Sequence, residues 1–115
     1  MTTKAVLYVC ADRGKLMPSL AVERAEDEGR AYADRRDLTI TEVVRDPYGD
    51  PNPARRTGWQ RVRHLAQTGG IEAVVVRWPT VIAPGDAAQH ETLWLSDHGV
   101  RVHYSWPPLT SGGDT

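Results

Sequence analysis

The sequence predicts a doubly wound α/β domain: a four-stranded parallel sheet in the order 2-1-3-4 with three crossover helices. Two observations carry this. Short apolar runs alternate along the chain with longer segments of helical periodicity, the signature of repeated β-α-β units. Two of those runs, Ala5-Val6-Leu7-Tyr8-Val9-Cys10 and Ala73-Val74-Val75-Val76, are continuously apolar, as strands covered on both faces must be. They are expected at the centre of the sheet. Leu38 to Val44 and Val100 to Ser105 mix in polar residues and are expected at the edges. Right-handed crossovers with the first and third strands inside then dictate the order 2-1-3-4.

The helices follow from caps and stripes. The first is expected from a Ser19 N-cap to about Arg36, with Val22, Ala25, Gly29 and Tyr32 facing the sheet and small residues where helix and sheet approach closely. The second is expected over Thr57 to Gln67, burying Trp59, Val62 and Leu65 or Ala66 and ending at Gly69-Gly70. The third is expected from an Asp86 cap to about His98, ending at Gly99. Its face is the weakest: Ala88, Thr92 and Leu95 align, leaving Leu93 and Trp94 pointing elsewhere and Trp94 at the surface. Asp46 to Pro53 and Trp78 to Gly85 are rich in Pro, Gly and Asp and are expected as loops. Residues 1–106 are expected to form one domain and 107–115, rich in Pro, Ser and Gly, a frayed tail.

Composition narrows the function classes. Fourteen basic side chains stand against 15 acidic ones in 115 residues, so no global positive field gathers nucleic acid. The single cysteine, Cys10, cannot form an internal disulfide, and the short apolar run at the N-terminus is far below the ~20 residues of a membrane span. A cytoplasmic location is the expectation. Two lysines against many arginines, with no Phe, suggest a GC-rich genome.

On an open α/β sheet, ligands sit beyond the C-terminal ends of the strands at the switch point between strands one and three. That places Cys10, Asp12, Arg13, Asp46, Arg56, Arg77 and Thr80 at the candidate crevice. Cys10 before a loop and helix invites comparison with the Cys-x5-Arg phosphatase loop, but the residue six beyond it is Leu16 and Asp12 would repel a phosphate. Cys10 therefore reads as a buried structural thiol. Asp12 and Asp46 could pair on a divalent ion as in response-regulator receivers, yet the acceptor Asp and Lys of that family are missing, and Arg77-Trp78-Pro79 stands instead. The better reading is carboxylates paired with Arg13, Arg45 or Arg56. His64, His90, His98 and His103 have no metal-ligand spacing, so neither metal nor cofactor is expected.

A set of motifs in order gives the chain a family likeness. Tyr8-Val9-Cys10-Ala11-Asp12, Ser19-Leu20-Ala21-Val22-Glu23, Asp46, Arg56-Thr57-Gly58-Trp59, Val74-Val75-Val76 and His98-Gly99-Val100 succeed one another at matching intervals. Over about residues 4–105 the sequence resembles the catalytic domain of serine recombinases, the resolvase/invertase family. The departures bear on activity. The resemblance implies a nucleophilic serine where Asp12 stands and an arginine where Cys10 stands. It implies two further arginines in the stretch that here reads Thr80-Val81-Ile82-Ala83-Pro84, and a glutamine at Glu23; only Arg56 matches. Loss of even one donor at a developing oxyanion costs ~10² or more in rate, so no enzyme is expected.

The function expected is a non-catalytic resolvase-like domain serving as a protein-binding or regulatory module, with Trp78 and Trp94 as candidate partner contacts. Two alternatives stand beside it. One is a DNA-associated accessory protein using Arg55, Arg56, Arg61 and Arg63 around the second helix, with weak, non-specific binding; a solvated helix face is the plainer reading of those residues. The other is a small enzyme using Asp12, Asp46 and Arg56.

Overall fold

A computed structural model of the chain describes residues 3–11, 20–47, 52–77 and 79–106. Its elements are β1 (Thr3–Ala11), α1 (Leu20–Arg35), β2 (Leu38–Pro47), α2 (Thr57–Gln67), β3 (Ala73–Val76), α3 (Pro79–Ile82), α4 (Asp86–Asp97) and β4 (Arg101–Tyr104), with a 3-10 turn at Pro53–Arg55. All strand pairs are parallel and the order is β2-β1-β3-β4. The topology expected from the sequence is the one observed.

Strand alternation divides the interior in two. Ala5, Leu7, Val9, Ala73 and Val75 face α1, where Ala33, Tyr32 and Ala25 cover them. Val6, Tyr8, Cys10, Val74 and Val76 face the other side, packed under Trp59, Val62 and Ala66 of α2 and Ala88 and Leu95 of α4. Both α2 and α4 stop at a glycine with φ near +77°, Gly69 and Gly99. The next residue's N–H then donates back to a helical carbonyl, Gly70 to Leu65 and Val100 to Leu95.

Close approach explains the small residue at position 29. A Cβ built on Gly29 would lie 2.4 Å from Cδ1 of Leu7, and Leu7 is itself buried. Gly29→Ala gains about 1 kcal/mol of helix propensity but overpacks this contact by more than that, a class of change that costs about 1–3 kcal/mol. The variant should unfold at lower urea concentration than the parent chain; an increase in midpoint would show that α1 can lift away freely.

The register of β2 departs from simple alternation. Ala5 opposes Ile40 while Val6 opposes Glu42, so Thr41 is an extra residue, and its Oγ1 donates to the carbonyl of Ala5 at 3.2 Å. Such a bulge shifts the phase by one residue and exchanges the faces of everything beyond it. Before it, Leu38 and Ile40 pack on the α1 side; after it, Val43 does, and Val44 joins the α2 side. The bulge thereby sends Arg45 toward α1, where it pairs with Glu26, and Asp46 toward α2.

Several expected features differ in the structure. Trp78 to Gly85 is not a plain loop: α3 forms within it, and Val81, Ile82 and Ala83 are buried in the core beside α4. A four-residue helix has no intrinsic stability; burial of its apolar side chains fixes it. Asp46 and Pro47 complete β2 instead of opening a loop. Asp86 begins α4, but the N-cap position is Gly85 with no side-chain cap. Trp94 is partly buried, packed on the core with the Arg63 guanidinium 4.5 Å from one ring centroid and the His98 ring at 4.1 Å. The large apolar side chains left exposed among the described residues are Leu93, Tyr104 and Trp106. The expected Ser19 cap, the 107–115 tail, Asp12, Arg13 and Trp78 lie outside the described residues.

Candidate functional site

At the C-terminal ends of β1 and β2, Cys10 stands beside Asp46 in the parallel register. Asp46 is 7 % exposed, and its carboxylate accepts three hydrogen bonds. The Tyr8 hydroxyl donates to Oδ2 at 2.7 Å, the Gly58 N–H to Oδ1 at 2.8 Å and the Trp59 N–H to Oδ2 at 2.9 Å. The last two are first-turn amides of α2, which have no partner within the helix. A carboxylate supplied from β2 thus caps α2 and meets the positive end of its dipole. Position 58 must be glycine for this fit, because a Cβ there would lie 2.7 Å from Oδ2 of Asp46.

Tyr8 links the carboxylate to the core. Its ring meets Trp59 edge-on at a centroid distance of 5.0 Å. Burial, then the hydrogen bond to Asp46, raises the phenol's pKa far above its ordinary value, with Arg56 opposing. Burial likewise raises the pKa of the Cys10 thiol, again with Arg56 pulling the other way. A thiol so shifted is a poorer nucleophile than free cysteine. Trp59 is fully buried, and its Nε1 donates to Glu91 at 2.6 Å, while Arg63 forks onto the same carboxylate with two bonds of 2.9 Å.

Arg56 ends the 3-10 turn and precedes α2. Its side chain is buried at 6 % exposure and turned inward, with Nη1 donating to the carbonyls of Val81 and Ile82 in α3, the second at 2.8 Å. These are carbonyls of a helix too short to satisfy them internally. The guanidinium ties the entrance of α2 to α3 across the strand ends.

The residues expected at the crevice therefore separate. Cys10, Asp46 and Arg56 come together with Tyr8, which sequence reasoning missed. Arg77 lies apart, on the α1 side, with Nε 3.2 Å from Glu28 and its guanidinium 4.9 Å from the Trp106 centroid. Thr80 is in α3. Arg45 is engaged by Glu26, not Asp46. Of the four arginines around α2, Arg61 forks onto Glu42 at 3.0 Å, Arg63 forks onto Glu91 and Arg56 is inside, while Arg55 is exposed. Among the described residues, no three His, Cys, Asp or Glu side chains are grouped to hold a metal ion, and no helix is long and apolar enough to cross a membrane.

This architecture is that of the serine recombinase catalytic domain. Three solved structures show it. The C-terminal catalytic domain of ISC1926 TnpA, an IS607-like serine recombinase, superposes with a TM-score of 0.77 over 93% of this chain and 70% of its own, at 17% identity. A resolvase family site-specific recombinase from Streptococcus pneumoniae gives 0.75 over 99% and 79%, also at 17% identity. The N-terminal catalytic domain of TP901-1 integrase gives 0.75 over 89% and 76%, at 10% identity. No protein-family model and no curated protein matches the sequence. The likeness is one of fold.

Proposed function

We propose that this chain is a non-catalytic resolvase-like domain of the cytoplasm, acting as a protein-binding or regulatory module. The observation that carries the reading is the orientation of Arg56. Phosphoryl transfer needs positive charge presented to the developing oxyanion. Here the one arginine that matches the family pattern is buried and spent on the carbonyls of Val81 and Ile82. The stretch in which the resemblance implies two more arginines supplies Val81, Ile82 and Ala83 to the core instead. The nearby amides at the start of α2 are occupied by Asp46, so they have no vacancy for a phosphate oxygen.

A protein partner is favoured over DNA by the surface. Arg61 and Arg63 on α2 are matched by Glu42 and Glu91, whereas Leu93, Tyr104 and Trp106 expose apolar and aromatic area of the kind that anchors protein interfaces. Incubation with supercoiled DNA should yield neither strand breaks nor a covalent protein–DNA linkage, and Asp12→Ser should not restore either. Cleavage by the parent chain would end the non-catalytic reading. In gel shifts, retention of DNA should be insensitive to sequence and lost near the physiological ~0.15 M salt. Tight binding there to one sequence over a scrambled control would move the assignment to DNA.

A further inference from the structure

Most arginines with described surroundings are matched to an acceptor. Arg30 and Arg45 reach Glu26, Arg61 reaches Glu42, Arg63 Glu91 and Arg77 Glu28. Among the described residues Arg24, Arg36, Arg55 and Arg101 have no carboxylate within ion-pair distance. Arg36 and Arg101 stand out because each adjoins one of two rings in contact, Arg36 that of Tyr32 and Arg101 that of His103, two residues along β4.

The geometry is built by two elements. Tyr32 is in the last turn of α1 and Arg36 is the residue just past its end, with the Arg36 guanidinium carbon 5.4 Å from the Tyr32 ring centroid. Arg101 and His103 are two residues apart on β4 and so project from one face of the sheet, the face that α1 covers. Tyr32 Oη and His103 Nδ1 share a hydrogen bond of 3.1 Å, and the rings meet edge to face at 5.8 Å. Tyr32 and His103 are half-buried while Arg36 and Arg101 are exposed. Burial, then Arg101, then Arg36 holds the His103 pKa below that of an ordinary histidine. A neutral ring that accepts the Tyr32 O–H at Nδ1 carries its own proton on Nε2, a further donor. Glu28, one turn before Tyr32 on α1, is engaged by Arg77 and Ser105. Asp34 and Asp37 are close in sequence, but among the described residues neither is paired with Arg36 or Arg101.

We propose that Tyr32, Arg36, Arg101 and His103 form an oxyanion site that takes a phosphate group. Two guanidiniums and an imidazole N–H offer more donors than the two oxygens of a carboxylate use, and the several terminal oxygens of a phosphate match them. The phosphate is that of a small phosphomonoester or of a phosphorylated side chain on a protein. The site lies on the opposite face of the sheet from Asp46 and does not depend on the loss of catalysis.

The test is an NMR titration of the full chain at constant ionic strength with inorganic phosphate, free phosphoserine and a phosphoserine peptide. Saturable shifts confined to the His103 ring and the amides of Tyr32, Arg36 and Arg101 are expected. Arg101→Ala and Arg36→Ala should each weaken the affinity about tenfold or more, the range of a charge-assisted contact, with an otherwise unchanged amide spectrum showing that the fold persists. Peptide binding at least tenfold tighter than free phosphoserine assigns the site to a phosphorylated protein; equal affinity assigns it to a small phosphomonoester. Shifts that fail to saturate with all three probes, that chloride reproduces, or that the alanine variants leave intact overturn the proposal.

Discussion

Asp46→Ala is expected to destabilise the chain by about 3–5 kcal/mol, because it leaves several buried donors with no acceptor at once. The Gly58 and Trp59 amides and the Tyr8 hydroxyl all donate to this carboxylate. An unsatisfied buried donor costs about 1–3 kcal/mol, and more is lost when the acceptor was charged. A domain of this kind has a total stability of only about 5–15 kcal/mol, so the variant should be near the limit of folding. Asp46→Asn keeps the shape and one acceptor oxygen but turns an NH₂ toward a donor, so it should fall between the two. Urea midpoints for the three chains decide the matter. A midpoint for Asp46→Ala close to that of the parent would mean that water reaches the start of α2 and replaces the carboxylate.

Parts of this site could be read directly from the sequence and parts could not. The central strands and α2 were legible because their signals are local: unbroken apolar runs for β1 and β3, and for α2 a stripe of Trp59, Val62 and Ala66 closed by Gly69. The topology followed from them by the handedness of crossovers. Asp46 was legible as the end of a strand, but its partner was not. Tyr8 sits inside an apolar run, and only the bulge at Thr41 decides that Asp46 emerges on the same side of the sheet. Without the bulge, Leu38, Ile40, Glu42, Val44 and Asp46 would share one face, which is the natural reading of their spacing. The weak stripe of α4 points Trp94 to the surface; Arg63, reaching over from α2 to Glu91, covers it. The helix α3 was hidden between Pro79 and Pro84, since its stability comes from tertiary burial and from a guanidinium remote in sequence.

That guanidinium gives the second large effect. Arg56→Ala should destabilise the fold by about 2–4 kcal/mol: it strips two buried carbonyls, those of Val81 and Ile82, of a charged donor, and hydrogen bonds to charged groups are worth about 1.5–3 kcal/mol each in mutational series, with incomplete additivity. Arg56→Lys should recover only part of the loss, because a single ammonium on an unbranched stem lacks the planar fork. The sign of the effect discriminates between the two roles open to this residue. An arginine kept for a ligand is a strained, desolvated charge whose removal leaves stability unchanged or raises it, as is common at active sites. An arginine that fastens α3 to the entrance of α2 is part of the scaffold, and its removal must weaken the fold. Equilibrium unfolding of Arg56→Ala that matched or exceeded the parent's stability would return Arg56 to the list of binding residues and, with it, reopen the question of chemistry at the ends of β1 and β2.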